Sequence, residues 1–217
     1  SYEEIEKDVA QIKSLGANTV RFGNHPPHPY ILNLCDRYGL FAMEELPIVG
    51  TPALVLGEEY YVDLAHTMMR EMIVRDRQHV SVLAWGVGDE FESSAPAARS
   101  FVEGMVRLAK SLDDRPTYYG TRLIDSDRCA DLVDIAAINI HTQDIKLFKK
   151  LLEEWKAKNV GRPVIVGKFG YQRANHPARA APFCPKIHQN GFVGLKDNLV
   201  KICISNFNGH DIYFKIE

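Results

Sequence analysis

Residues 80–90 read VSVLAWGVGDE, a stretch in which Ser81 is the only polar side chain before Asp89 and Glu90. An apolar run of this kind reads as a strand buried on both faces, the habit of parallel sheets covered by helices. Parallel strands need crossovers, and the rest of the chain supplies them. Helical spacing marks 2–15, 30–38, 58–78, 97–112 and 144–158, and Gly16 and Gly39 stand where the first two should stop. Short strands are expected at Thr19–Phe22, Leu40–Met43, Pro116–Gly120, Ile135–Ile140, Pro163–Val166 and Asp211–Ile216. Residues 192–204 read as a helix, and the proline-containing stretch 173–190 as a long irregular loop.

Alternating strands and helices fit a doubly wound sheet or a (β/α)8 barrel. No GxGxxG or GxxxxGK[ST] follows any strand, which disfavours a nucleotide-binding sheet. Polar side chains recur instead at strand C-termini: Arg21 and Asn24, Glu44 and Glu45, Asp89 and Glu90, Arg122, Asn139 and His141, and Lys168. A barrel gathers all such ends on one face, where chemistry is placed. The expected fold is therefore α/β, a (β/α)8 TIM barrel forming one domain over residues 1–217. Because a helix precedes the first readable strand and only seven strands are legible, the barrel should lack its own first strand.

Composition sets the outer limits. Hydrophobic residues make up 46% and charged residues 25%, with a formal net charge of -2. That balance gives no reason to expect nucleic acid or an anionic membrane as partner. No apolar window is long enough to span a bilayer, and the N-terminus carries no signal-peptide pattern. Cys35, Cys129, Cys184 and Cys203 form no CxxC pair, so neither a zinc ribbon nor a redox dithiol is expected. Neither metal nor cofactor is read from the chain. Cys35 and Tyr38 fall at core spacing on a helix, and His176, His188 and His210 read as loop residues.

Several motifs carry a resemblance. Thr19-Val20-Arg21 with His25-Pro26, then Leu34-Cys35-Asp36-Arg37-Tyr38-Gly39-Leu40 and Glu44-Glu45, resemble the barrel of glycoside hydrolase family 2. Arg75-Asp76-Arg77-Gln78-His79-Val80-Ser81-Val82, continuing through Trp85 to Asp89-Glu90, is similar to that family's acid/base signature, R-D-x-N-H-P-S-V-x-x-W-S-x-x-N-E. The resemblance implies a carbohydrate substrate or ligand, β-sandwich domains upstream, and a retaining mechanism that uses two carboxyl groups about 5–5.5 Å apart. It places Glu90 as the general acid/base, which needs a carboxyl held protonated by an apolar or like-charged setting. Trp85 and Asp89 are expected to supply that setting. Asp89, Asn139, His141, Glu45, Asn24 and Trp85 are implied as sugar-binding residues. The resemblance to large β-galactosidases implies Glu45 as a metal or substrate ligand, and without a second ligand no metal is expected.

The departures are as informative as the matches. Asp89 stands where the family has Asn, His141 where it has Tyr, and Asn24 where it has His, unless a one-residue shift assigns that place to the adjacent His25. In Pro163-Val164-Ile165-Val166-Gly167-Lys168-Phe169-Gly170, Lys168 occupies the place of the nucleophilic Glu. An ammonium does not attack an anomeric carbon, and its charge opposes an oxocarbenium-like transition state. Lys168 facing Glu90 is expected to form an ion pair that lowers the Glu90 pKa, the wrong direction for a general acid. Three readings follow. The chain is a family 2 glycosidase whose chemistry is lost or rerouted through Asp89, Glu44 or Glu45. Or it is a carbohydrate-binding pseudoenzyme, with Trp85 and Tyr171 as sugar platforms. Or Lys168 works as an amine nucleophile. Lys168→Glu is the substitution expected to create glycosidase activity. Arg21 reads either as a cleft residue or, preferably, as an interior partner of Glu45.

Overall fold

The computed structural model describes residues 1–142 and 144–169, together with the backbone of strands at 201–207 and 210–215. Its order is α1 (Tyr2–Ser14), β1 (Thr19–Phe22), α2 (Pro29–Tyr38), β2 (Phe41–Glu45), α3 (Ala53–Leu56), α4 (Glu59–Asp76), β3 (Val82–Asp89), α5 (Pro96–Leu112), β4 (Thr117–Thr121), β5 (Ile135–Ile140), α6 (Ile145–Lys158), β6 (Val164–Phe169), β7 (Lys201–Phe207) and β8 (His210–Lys215). The helices start and stop where local chemistry says they should. Ser1 and Glu4 form a capping box on α1. Pro29 opens α2, and Gly39 closes it in the left-handed conformation at φ 63°. Asp144 caps α6 by accepting from the backbone N–H groups of Lys146 and Leu147.

Strands β1 to β8 pair in sequence order into a closed barrel. Neighbours from β1 through β7 are parallel, and β8 runs antiparallel to both β7 and β1. The expected barrel is present, and its closure is unusual. An antiparallel final strand sits between β7 and β1, with Val20 opposite Ile212. The helix expected over 192–204 is corrected in part, because Lys201–Phe207 is strand. His210, expected in a loop, begins β8. The irregular stretch 173–190 lies outside the described residues.

Period-2 alternation sorts each strand into two faces. Val20, Phe22, Ala42, Trp85 and Val87 point outward and pack with Leu32, Leu34, Met69, Phe101 and Met105 of the surrounding helices. Met43, Ala84, Tyr118, Ala137 and Ile165 point inward and fill the barrel. Above that layer the lumen turns polar. Arg21, Glu45, Asp89 and Asn139 lie there, each at 3% exposure or less.

Candidate active site

Two bulges aim the key side chains. On β3, Gly86 pairs with Tyr118 and Asp89 pairs with Gly120, so β3 carries one more residue than β4 across this interval. Strict alternation would set Asp89 on the outward face with Trp85 and Val87; the extra residue turns it into the lumen. On β6, Val166 opposes Ile138 while Lys168 opposes Asn139, again one extra residue. Outward parity at Lys168 is reversed in the same way. Two of the four positions that depart from the resemblance, Asp89 and Lys168, thus reach the mouth by bulges.

There they meet. Lys168 Nζ donates to Asp89 Oδ2 at 2.5 Å. Asp89 Oδ1 accepts from Arg21 Nη2 and from Asn139 Nδ2, each at 2.9 Å. Arg21 donates through Nε at 2.9 Å and Nη2 at 2.5 Å to Glu45 Oε2, and its guanidinium lies 5.5 Å from the Tyr118 ring centroid. The preferred reading of Arg21 as the interior partner of Glu45 matches this geometry. Backbone without side chains makes room for the cluster. A Cβ on Gly120 would come within 2.1 Å of Asp89 Oδ1, and one on Gly167 within 2.5 Å of Asn139 Oδ1 and 3.0 Å of Arg21 Nη1.

Burial alone would raise the Asp89 pKa, but the charges of Arg21 and Lys168 and their hydrogen bonds overcome it and hold the carboxyl below its ordinary range. Glu45 goes the other way. Its complete burial outweighs the Arg21 charge and pushes its pKa up to about 7.

Glu90 takes up the first position after β3 with φ 49°, a left-handed conformation that non-glycine residues adopt at a cost and that collects at functional sites. Its N–H donates to Gly120 O at 2.8 Å. Its Oε1 accepts from Asn139 Nδ2 at 2.9 Å and lies 2.8 Å from His141 Nε2. The loop that follows is tied down. Ser93 Oγ donates to Asp127 Oδ2 at 2.6 Å, and Phe91 stacks on Tyr119 with centroids 5.1 Å apart. Burial raises the Glu90 pKa, yet the bonds from His141 and Asn139 and the Lys168 charge bring it below the ordinary carboxylate value, although Asp89 opposes them. The expected direction holds with a different main cause. His141 is the principal lowering partner, and the 2.5 Å ion pair of Lys168 goes to Asp89, correcting the expected Lys168–Glu90 pair.

The structure therefore gathers Glu90, Asp89, Lys168, Asn139, His141 and Glu45 at one end of the barrel. Trp85 does not join them. It is fully buried on the outward face, donating from Nε1 to Asp113 Oδ1 at 3.2 Å beneath the Arg115 guanidinium, so it is neither a sugar platform nor the apolar wall of Glu90. Glu44 is also corrected as a substitute acid. It points outward, where burial and the neighbouring Asp76 carboxyl push its pKa up to about 9 against the opposing charges of Arg75 and Arg115. Asn24 follows β1 half-buried, with Oδ1 enclosed and lacking a hydrogen-bond partner among the described residues. Tyr171 lies outside the described residues. Sequence reasoning passed over Gly120, Gly167, Ser93 and Asp127; the two glycines carry no chemistry, and their place inside strand runs, where glycine marks close approach, was the signal that could have found them.

No group of three His, Cys, Asp or Glu side chains among the described residues is arranged to hold a metal ion. No helix among them is long and apolar enough to cross a membrane.

A barrel whose strands β1 to β7 run parallel and bring carboxyls to one mouth has the architecture in which chemistry is placed at the strand ends. Residues 1–193 match the family described as "Glycosyl hydrolases family 2, TIM barrel domain", and the chain belongs to that family. It is 32% identical over 179 residues to the β-glucuronidase of Rattus norvegicus, a match covering 76% of this chain and 27% of that protein. The β-glucuronidase of Mus musculus is 33% identical over 219 residues, covering 94% of this chain and 32% of its own. Among solved structures, the β-D-glucuronidase of Dictyoglomus thermophilum superposes with a TM-score of 0.72 at 25% identity, over 78% of this chain and 33% of that one. A GH2 β-galacturonidase from Eisenbergiella tayi, at 24% identity and a TM-score of 0.73 over 78% of this chain and 32% of that chain, shares the fold. The chain thus spans about a third of the length of the relatives it matches.

Proposed function

We propose that this barrel keeps the sugar-facing end of a family 2 β-glycosidase but does not carry out double displacement, and that it binds β-glycosides without hydrolysing them at an enzymatic rate. The single observation that carries this reading is the Lys168 ammonium on Asp89 at the position the resemblance assigns to the nucleophile. A retaining route needs a second carboxylate that can reach the anomeric carbon, and an inverting route needs one that can activate water. Within the cluster Glu90 keeps 13% side-chain exposure, while Asp89 and Glu45 keep none. Asp89 is further occupied by three donors. Among the described residues Glu90 therefore has no second carboxylate to work with, and its lowered pKa leaves it ionised at neutral pH, fit to accept a hydroxyl hydrogen bond but poor at protonating a leaving group.

The ligand class is taken from the relatives. Several are β-glucuronidases, so a β-glucuronide is the first compound to test. The experiment measures release of nitrophenol from a panel of nitrophenyl β-glycosides, the β-D-glucuronide first, by the unaltered protein and by Glu90→Gln. We expect both to lie at background, a loss of about 5–8 kcal/mol of barrier lowering relative to a working member. Saturable binding of glucuronic acid, weakened by His141→Ala, supports the binding half. Vigorous turnover abolished by Glu90→Gln would show another nucleophile at work.

A further inference from the structure

We infer that Asp89 and Lys168 form one donor–acceptor unit in which each residue dictates the other, so that position 168 accepts a carboxylate only when position 89 becomes an amide. The inference rests on the proposed reading of position 168 as the nucleophile's place. It revises the expectation that Lys168→Glu by itself would create activity.

The argument counts donors and acceptors. Asp89 is fully buried, and its two oxygens accept three hydrogen bonds: Oδ1 from Arg21 and Asn139, Oδ2 from Lys168. An amide at this position offers one oxygen and one NH2 group. With its oxygen turned to Arg21 and Asn139, the NH2 faces position 168. Against the Lys168 ammonium that is donor against donor. Against the carboxylate of Lys168→Glu it is donor to acceptor, and the contact between the two positions is matched. Turning the amide over does not help Asp89→Asn, because its NH2 then faces the donors of Arg21 and Asn139. Lys168→Glu alone sets two carboxylates face to face in place of a 2.5 Å ion pair, with buried Glu45 close by and Arg21 left to serve all of them. Arg21 and Asn139 have little room to turn away, since the space beside them is closed by the backbone at Gly120 and Gly167. Each single change leaves a mismatch at the contact between positions 89 and 168; the two together remove it. Mismatches of this kind are costly because the stranded group has lost water and gained nothing.

With both changes made, the route to hydrolysis balances. The exchange removes the Lys168 charge that helps to lower the Glu90 pKa and sets a like charge beside it, which moves that pKa upward. The new carboxylate then attacks the anomeric carbon as protonated Glu90 gives its proton to the departing oxygen. Water then cleaves the glycosyl ester, returning a proton to Glu90 and freeing the carboxylate.

The test compares thermal unfolding of five forms of the full chain: unaltered, Asp89→Asn, Lys168→Glu, both together, and Asp89→Asn with Lys168→Gln. Each single change should lower the midpoint by roughly 6–20 °C, while the double Asn/Glu form returns to within about 3 °C of the starting protein. The double form should also hydrolyse 4-nitrophenyl β-D-glucuronide at least about 100-fold faster than Lys168→Glu alone. The Asn/Gln form should be as stable as the double form and inactive, separating the pairing from the chemistry. Additive losses, or a Lys168→Glu form as stable as the unaltered protein, overturn the inference. If Lys168→Glu does not fold, adding Lys168→Gln to Asp89→Asn must raise the midpoint; a further fall overturns it. Stability coupling without a gain in hydrolysis leaves the pair standing and refutes instead the assignment of position 168 to the nucleophile. Turnover by the unaltered protein refutes the proposed function and leaves the pair untouched.

Discussion

Arg21 shows how a single residue organises the barrel mouth. Its guanidinium is fully buried and serves two acids on different strands, Glu45 on β2 and Asp89 on β3. Arg21→Met removes the cation bound to buried Glu45 and one of the three donors to Asp89, which keeps Lys168 and Asn139. It should cost about 3–5 kcal/mol, read as a fall in the urea midpoint, chiefly through the stranded Glu45. Glu44 makes the opposite case on the outer face. Its folded pKa of about 9 lies above the unfolded value near 4.5, so the folded state holds a proton that the unfolded chain releases. The stability this contributes is full below about pH 4.5 and declines as pH rises through about 9. Denaturant unfolding from pH 5 to 9.5 should show that decline, and Glu44→Gln should flatten it. The Arg21–Glu45 pair was legible because a cation and an acid at adjacent strand ends of a barrel need each other. Trp85 was misplaced because a motif says that a residue is near a site in sequence, whereas strand parity decides which face it occupies.

At the level of elements, the bulges on β3 and β6 do most to separate sequence from structure. Parity places Asp89 with Trp85 and Lys168 with Val166, and one inserted residue in each strand reverses it. Gly88 and Gly167 stand inside the two bulged intervals, and a glycine within a strand run is the signal from which the reversed side chains could have been read. Helix bounds were readable because caps are local: Gly39 after α2 and Asp144 before α6 act within one turn. β7 was misread since Leu195, Leu199, Ile202 and Cys203 fall at helical spacing while Val200, Ile202 and Ile204 favour a strand. The crowding beneath the bulges gives a clean prediction. Gly167→Ala sets a methyl 2.5 Å from Asn139 Oδ1, so Asn139 must withdraw from Asp89 and Glu90. A loss of about 1–3 kcal/mol in equilibrium unfolding is expected, together with a Glu90 pKa, followed by carboxyl NMR, that moves upward as the Asn139 bond is lost.

For the whole molecule, the barrel converges polar groups from β1, β2, β3, β5 and β6 on one mouth, in a chain that belongs to glycoside hydrolase family 2. The central claim is that this mouth has exchanged a nucleophile for an ion pair. Covalent trapping tests it most directly. A 2-fluoro-β-D-glucuronide with a good leaving group esterifies an active carboxylate nucleophile and leaves an ester slow to hydrolyse. Intact-mass measurement after incubation should find the unaltered protein without added mass, and the form carrying both Asp89→Asn and Lys168→Glu with one glycosyl adduct on the new carboxylate. A stoichiometric adduct on the unaltered protein, mapped to Glu45, Asp89 or any other acid of the mouth, would contradict the account.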